Sequence, residues 1–285
     1  MGAEPMAAAV NPSPHIRIRP PRGWAMVNLG EVWAYRDVLF TLAWRDIKLR
    51  YKQTALGVAW VILQPLAAGL IFAVIFGHFA RLPSDGIPYL LFVFAGLIAW
   101  QLFAGMLQRA GGSLVNESRL ITKVYFPRVL VPAASAAAVL VDFTVSFAVM
   151  LGLLGVYHVW PGWPILLLPA LALLVVALGA GLSLWLAALN VKYRDFMYAT
   201  PFLIQIWMYA TPVVYAASLV PEKWRGWFAL NPLVGVVEGF RYALLGRSAG
   251  GTGTAVLISV VAALMALLSG ALVFRRMERG FADQL

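Results

Sequence analysis

The stretch FTVSFAVMLGLLGVYHVWPGWPILLLPALALLVVALGAGLSLWLAALNV, Phe143 to Val191, runs for 49 positions without one Asp, Glu, Lys or Arg. A helix crossing a hydrocarbon core of ~30 Å needs about 20 apolar residues, so this run holds two crossings provided that a turn falls inside it. The segment YHVWPGWP, Tyr157 to Pro164, supplies the Pro and Gly for a turn and the aromatic rings that favour bilayer interfaces. The first crossing then extends upstream over 131–156 and carries Asp142 within it, while the second covers 164–190. Such a hairpin belongs in a membrane, and the rest of the chain agrees. Of 285 residues 62% are apolar and only 12% charged, against roughly 25% charged in an average soluble domain.

Working outward, uncharged runs at 53–80, 86–108, 196–221 and 248–274 also reach spanning length. The reading is an all-α integral membrane protein of six transmembrane helices, at about 55–80, 87–108, 131–156, 164–190, 197–218 and 252–274. They form one domain over residues 31–285. Of the 22 Lys and Arg residues, 17 fall in the first 52 positions, the 109–128 loop, the Lys192–Arg194 turn and the tail from Arg275. Positive segments stay in the cytoplasm, which places both termini there and Lys223 on the opposite side. The net charge of +10 is therefore a topology signal and not a nucleic-acid footprint. Residues 1–30, broken by five prolines, read as a disordered cytoplasmic arm without a cleavable signal peptide.

Several chemistries are excluded. Cysteine is absent, and His15, His78 and His158 share no metal-binding spacing, so neither a disulfide framework nor a protein-built metal site is expected. There is no G-x-x-x-x-G-K-[ST] motif to cradle nucleotide phosphates and no D-x-D pair. No catalytic residues are assigned; if ATP drives this chain, ATP and Mg sit on another subunit.

Between the spans lie three segments of mixed character. Over 33–52 a helix too charged to cross places Phe40, Trp44, Ile47 and Tyr51 within a 60° arc at 100° per residue, with Arg45, Lys48 and Lys52 on an adjacent band. It suits the cytoplasmic interface, either orienting the first span or forming a collar around a transport path. In the loop Arg109–Arg128, Ser113 is a candidate N-cap for a short helix ended by Pro127. That helix is a plain surface connector or a lever taking force from a soluble partner. The segment Pro221–Arg247 is apolar but interrupted by Asn231 and Pro232. It fits two half-helices dipping back from the outer face or a loop lying on the bilayer, with Glu238 and Arg241 spaced three apart to pair.

Asp142 is the one acid inside an expected span, ~16 Å from the start of its helix. It either bonds to a neighbouring helix or lines a polar path. With no relay partner visible in the spans, Asp142→Asn is expected to leave function largely intact. Small residues Ala134 and Ala138, and Ala262, Ala266 and Gly270, recur at helix-packing intervals. Aromatic rings pack on apolar C–H faces, which makes Trp60, Trp100, Trp207, Tyr209 and Tyr215 candidates for lining a path.

The stretch RDIKLRYKQTALGVAWVILQPL, Arg45 to Leu66, closely resembles the start of the membrane subunit of type-2 ABC exporters of bacterial polysaccharide. The similarity continues through NESRLITKVYFPR at 116–128, VKYRD at 191–195 and WFALNPLVGVVEGFRYALLG at 227–246, and covers the chain from about Trp33 onward. That family exports O-antigen, capsule and teichoic-acid chains. The resemblance implies a homodimer in the bacterial inner membrane, two copies of a cytoplasmic ABC ATPase, and a lipid-linked polysaccharide passing between the subunits. Periplasmic export proteins are further partners it allows.

It also implies roles. The stripe through Phe40, Trp44 and Tyr51, with Arg45, Lys48 and Lys52, becomes the substrate entrance. Asn116, Glu117, Ser118, Arg119 and Lys123 become a coupling helix docking the ATPase with Tyr193, Arg194 and Asp195. Trp227, Asn231, Pro232, Glu238 and Arg241 mark a periplasmic re-entrant pair. The alternatives are a type-2 exporter of a small drug or lipid, which shares the fold, and a membrane partner of polymer synthesis that transports nothing.

Overall fold

A computed structural model describes residues 29–52, 58–247 and 252–281. The expected arm at 1–30, apart from Leu29 and Gly30, lies outside them, as do residues 55–57 of the first expected span and the side chain of Lys52. The described residues form helices joined by turns, with no strand among them.

Two helices, α1 (Leu29–Ala34) and α2 (Arg36–Lys52), come first. Backbone bonds from Tyr35 to Glu31 and from Val38 and Leu39 back to Tyr35 carry them across their junction almost without a break. Then α3 (Val58–Phe72) runs into a π-helical turn, Ala73–Phe79. Next are α4 (Tyr89–Asn116), the six-residue α5 (Ser118–Lys123), α6 (Leu130–Val156), and α7 (Leu168–Lys192) behind a 3-10 turn at Trp163–Leu167. The remainder are α8 (Asp195–Tyr209), α9 (Glu222–Ala229), α10 (Pro232–Leu245) and α11 (Thr252–Met277).

Five of these are long and apolar enough to cross a membrane: Ala59–Phe79, Tyr89–Asn116, Leu130–Val156, Trp163–Lys192 and Thr252–Gly280. A sixth arises only if α9 and α10, which meet at 97°, count as one broken span. The turn inside Phe143–Val191 falls at Tyr157–Gly162, where the uncharged run required it.

Two expected boundaries are corrected. The second span does not stop at Gln108, because Gly111, Gly112 and Ser113 continue α4 as buried residues to Asn116. Ser113 is therefore no N-cap; its hydroxyl donates back to the Ala110 carbonyl, and α5 begins at Ser118 with Glu117 at the N-cap position and no side-chain cap bond. The fifth expected span, 197–218, is helical only to Tyr209. Its 15 residues rise ~22 Å, short of a bilayer core. Pro212 lacks the N–H that would continue the ladder, and the chain runs on through Ala216 as turns.

That irregular stretch is buried at Thr211, Val213, Val214 and Ala216, where free carbonyls are costly unless another donor reaches them. Arg241 of α10 supplies the donors, reaching the carbonyls of Val213 (2.8 Å), Tyr215 (3.4 Å) and, on α4, Phe92 (3.4 Å). The Tyr89 hydroxyl donates to Val214. Arg241 is 2% exposed and pairs with Glu238 at 2.8 Å, the spacing anticipated from the sequence, and its guanidinium lies 3.6 Å from the Phe92 ring centroid.

The helix α4 is the axis of the fold, buried on nearly all sides from Leu91 to Leu107 and packed by α6, α7, α10 and α3. Behind it α7 and α11 cross backbone against backbone. A Cβ on Gly181 would strike Ala266 and Leu267, and one on Gly270 would strike Gly181. At the other contact of α11, Gly235 of α10 sits against Ala255. A second hydrophobic cluster closes the Asn116 end of the bundle. It joins Leu42 and Ala43 of α2 to Leu114, Ile121, Ala134, Val191, Phe274 and Phe281.

Because removing one partner of a buried ion pair strands the other, Arg241→Leu is expected to cost about 3–5 kcal/mol. Thermal denaturation in detergent would show it. Val213→Ala, which keeps the carbonyl, should cost far less, and equal losses from both would refute the role given to Arg241.

Candidate functional site

The Asn116 end of the bundle gathers the charged side chains. There α2 lies along α6, with Leu42 and Ala43 as its apolar contact, and two charge clusters fasten the helices to each other. In the first, Arg45 forms a forked pair with Glu117, Nη2 to Oε1 at 2.6 Å and Nη1 to Oε2 at 3.1 Å. It also donates to Asp46 at 2.9 Å, and Asp46 accepts from the Ser135 hydroxyl of α6 at 3.2 Å. Burial opposes the charge on Arg45, but the hydrogen bonds to Glu117 and Asp46 outweigh it and hold its pKa above the ordinary value. This clamp ties Glu117, the N-cap residue of α5, to α2 and through Asp46 to α6.

In the second cluster Asp142 stands at the centre. Arg50 Nη2 approaches its Oδ2 at 2.8 Å, Arg109 Nη2 approaches the same oxygen at 3.1 Å, and the Tyr51 hydroxyl donates to Oδ1 at 2.9 Å. Burial, then the hydrogen bond to Asp142, push the Tyr51 phenol up to about 12, so it remains a donor at neutral pH. Asp142 thus has partners that the sequence did not reveal. They come from the end of α2 and from the part of α4 that had been read as a loop, so the reason given for a neutral Asp142→Asn variant no longer stands.

The expected entrance stripe is divided. Phe40 and Trp44 are exposed, 68% and 58%, and Lys48 lies over the Trp44 ring at 5.5 Å. Tyr51 turns inward to Asp142, and Arg45 is held by Glu117 and Asp46. Of the expected docking residues, Asn116, Arg119, Lys123, Tyr193, Arg194 and Asp195 are exposed, Ser118 is partly buried, and Glu117 belongs to the clamp. Exposed Val124 and Tyr125 adjoin them, and Tyr198 follows on α8 at 84% exposure.

The five aromatic path candidates do not converge. Trp100 is buried against Phe103, and Trp207 stacks edge-on to Phe103 while its indole N–H donates to Asn231. Tyr215 donates to the Tyr209 carbonyl and packs near Phe228. Trp60 and Tyr209 are exposed. Asn231 accounts for the turn before Pro232. Its Oδ1 accepts from the Leu233 N–H as the cap of α10, and its Nδ2 donates to Ala210 and Thr211 at the end of α8. Trp227 is exposed on α9.

One surface escaped the sequence reading except at Tyr209. Tyr198, Phe202, Gln205 and Tyr209 recur at i, i+4, i+7 and i+11 along α8 and are all exposed. The spacing was legible, but within a uniformly apolar run it looked like any lipid-facing side.

A bundle with five helices long and apolar enough to cross a membrane, and a short charged helix clamped at one end, is the architecture of a multi-pass membrane protein. The chain belongs to the family described as ABC-2 type transporter, which it matches over residues 37–245. It is similar to the O-antigen export system permease protein RfbA of Myxococcus xanthus, 30% identical over 74% of this chain and 81% of that protein. RfbA of Klebsiella pneumoniae is also 30% identical, over 75% of this chain and 81% of its own length. The polysialic acid transport protein KpsM of Escherichia coli is 25% identical over 70% and 78%.

The Arg45–Glu117 pair is expected to couple by about 1 kcal/mol in a double-mutant cycle, as forked, partly exposed pairs do. Thermal unfolding of Arg45→Ala, Glu117→Ala and the double variant would measure it. Strictly additive losses would mean that the two side chains do not cooperate.

Proposed function

We propose that this chain is the permease subunit of an ATP-driven exporter of bacterial polysaccharide, working as a homodimer with two copies of a cytoplasmic ABC ATPase. The observation that carries this reading is the match to O-antigen export permeases and a polysialic acid transport protein over about four-fifths of their length. The clamp adds a route for force. An ATPase seated on Asn116, Arg119, Lys123 and the Tyr193–Asp195 turn would move α5, and the Glu117–Arg45 fork would pass that motion to α2 and on to α6.

Supporting the substrate class, α8 presents Tyr198, Phe202 and Tyr209 outward with Gln205 between them. Rings pack on the apolar faces of sugars, while an amide meets their hydroxyls. Facing the same stripe of a second copy, it would form a sugar-compatible lining. Phe40 and Trp44, exposed near the Asn116 end, border the entrance in this reading. In the inner membrane both termini lie in the cytoplasm, and α9–α10 form a re-entrant pair on the far side.

Reconstitution with the partner ATPase and a lipid-linked glycan is the direct test. Tyr198→Ala with Phe202→Ala is expected to lower glycan transfer at least tenfold at unchanged ATPase docking, each stacked ring being worth about 1 kcal/mol. Undiminished transfer would remove α8 from the path, and transport of small drugs with no glycan transfer would favour the drug-exporter alternative. For orientation, a membrane-impermeant thiol reagent applied to intact cells with permeabilised outer membranes should label Lys223→Cys and spare Arg119→Cys. The native chain has no cysteine to interfere.

A further inference from the structure

The Asp142 cluster is unbalanced, since two guanidiniums converge on one carboxylate. Arg50 Nε is buried with no hydrogen-bond acceptor among the described residues. Beside the cluster opens a cavity of about 240 Å³ between α2, α3, α4 and α6, onto which Arg50, Gln64, Gln101, Gln108, Arg109 and Ser146 face. The space is far above the ~10–15 Å³ that one water needs, and Asp142 is the single acid on its wall. A second cavity of about 330 Å³ shares Gln108 and Arg109 and leads toward Asn116. The two acids there, Asp46 and Glu117, share Arg45 as their cation, with the Ser135 hydroxyl donating to Asp46, and neither lines the first cavity. A polar chamber on whose wall two guanidiniums face one carboxylate, with an unused buried donor beside them, suits an anion.

We propose that this cavity is a binding site for a phosphate-class oxyanion, held by Arg50 and Arg109 with the amide groups of Gln64, Gln101 and Gln108. Guanidinium forks match tetrahedral phosphate oxygens, and the surrounding amides serve more acceptor atoms than the two of a carboxylate. Asp142 competes with the ligand for the same two arginines. It keeps them aligned in the empty state and is the group the ligand must displace. The oxyanion is either free in solution or the head of a lipid whose chains remain in the bilayer. The second source rests on the export reading, in which the polymer arrives lipid-linked, and the site would then read the anchor rather than the sugar.

The test uses the purified full-length chain in nanodiscs, without ATPase or glycan, so a failure here leaves the export reading intact, and a failure of export leaves this result intact. Inorganic pyrophosphate is titrated calorimetrically into phosphatidylcholine discs. Arg50→Gln and Arg109→Gln are each expected to weaken binding about tenfold or more, and Arg50→Lys to retain part of it. Gln101→Leu, which leaves the ion pairs untouched, should weaken binding severalfold. Asp142→Asn should tighten it about tenfold by freeing both arginines, whereas a purely structural carboxylate would give equal or weaker binding.

Discs containing phosphatidic acid separate the sources. Displacement of pyrophosphate by that lipid assigns the site to a lipid headgroup, and unaltered pyrophosphate binding assigns it to a soluble ion. No binding of either probe to well-folded wild-type protein, or binding indifferent to Arg50, Arg109 and Gln101, overturns the proposal.

Discussion

A backbone that leaves helical geometry inside an apolar bundle exposes carbonyls that neither water nor lipid can satisfy, and here one guanidinium resolves the problem. Arg241 reaches three carbonyls on two segments and keeps its charge against Glu238, one turn away on the same helix. Once those carbonyls are bonded, α8 can end at Tyr209, the chain can turn at Pro212, and α10 can fold back beside α4. Asn231 completes the arrangement by bonding the end of α8 and the start of α10 at once. The bent α9–α10 pair is therefore an outcome of polar bookkeeping in a low-dielectric interior.

The same chemistry serves a different purpose at the Asn116 end. Arg241 and Glu238 are sealed and fix a shape, whereas the Arg45 and Asp142 clusters are partly open and join separate helices. Contacts of that kind can be remade at modest cost, because water and neighbouring polar groups can replace a lost partner. The molecule thus combines a rigid charged centre in one half with adjustable charged joints in the other.

Much of this was legible in the chain. The Phe143–Val191 run fixed the hairpin of α6 and α7, and the Glu238–Arg241 spacing announced their pairing. What failed did so for identifiable reasons. Ser113 looked like a cap because charge appears at Arg109, but a helix can carry a charge inward when an acid on another helix meets it, and Asp142 does. Asp142 itself looked isolated because Arg50 and Arg109 are remote in sequence, and linear spacing cannot report pairs made across helices. The limit of α8 depended on Arg241, likewise a long-range contact, and the exposed stripe Tyr198–Tyr209 was hidden by apolar residues on every side.

The glycine crossing of α7 on α11 has a consequence for biogenesis. Synthesis proceeds from the N-terminus, so α7 with Gly181 enters the bilayer well before α11 exists, and the groove at Gly181 is then filled by lipid alone. The α10 groove at Gly235 waits for the same helix. Arrival of α11 closes both at once, joining α7 to α10 and bringing Phe274 and Phe281 into the cluster at the Asn116 end. Chains cut short before Thr252 would retain every residue of the charged clusters and yet present two open, small-residue furrows to the membrane. Such furrows are the kind of surface by which helices find unintended neighbours, so the final helix works as the seal that tells a finished subunit from an unfinished one.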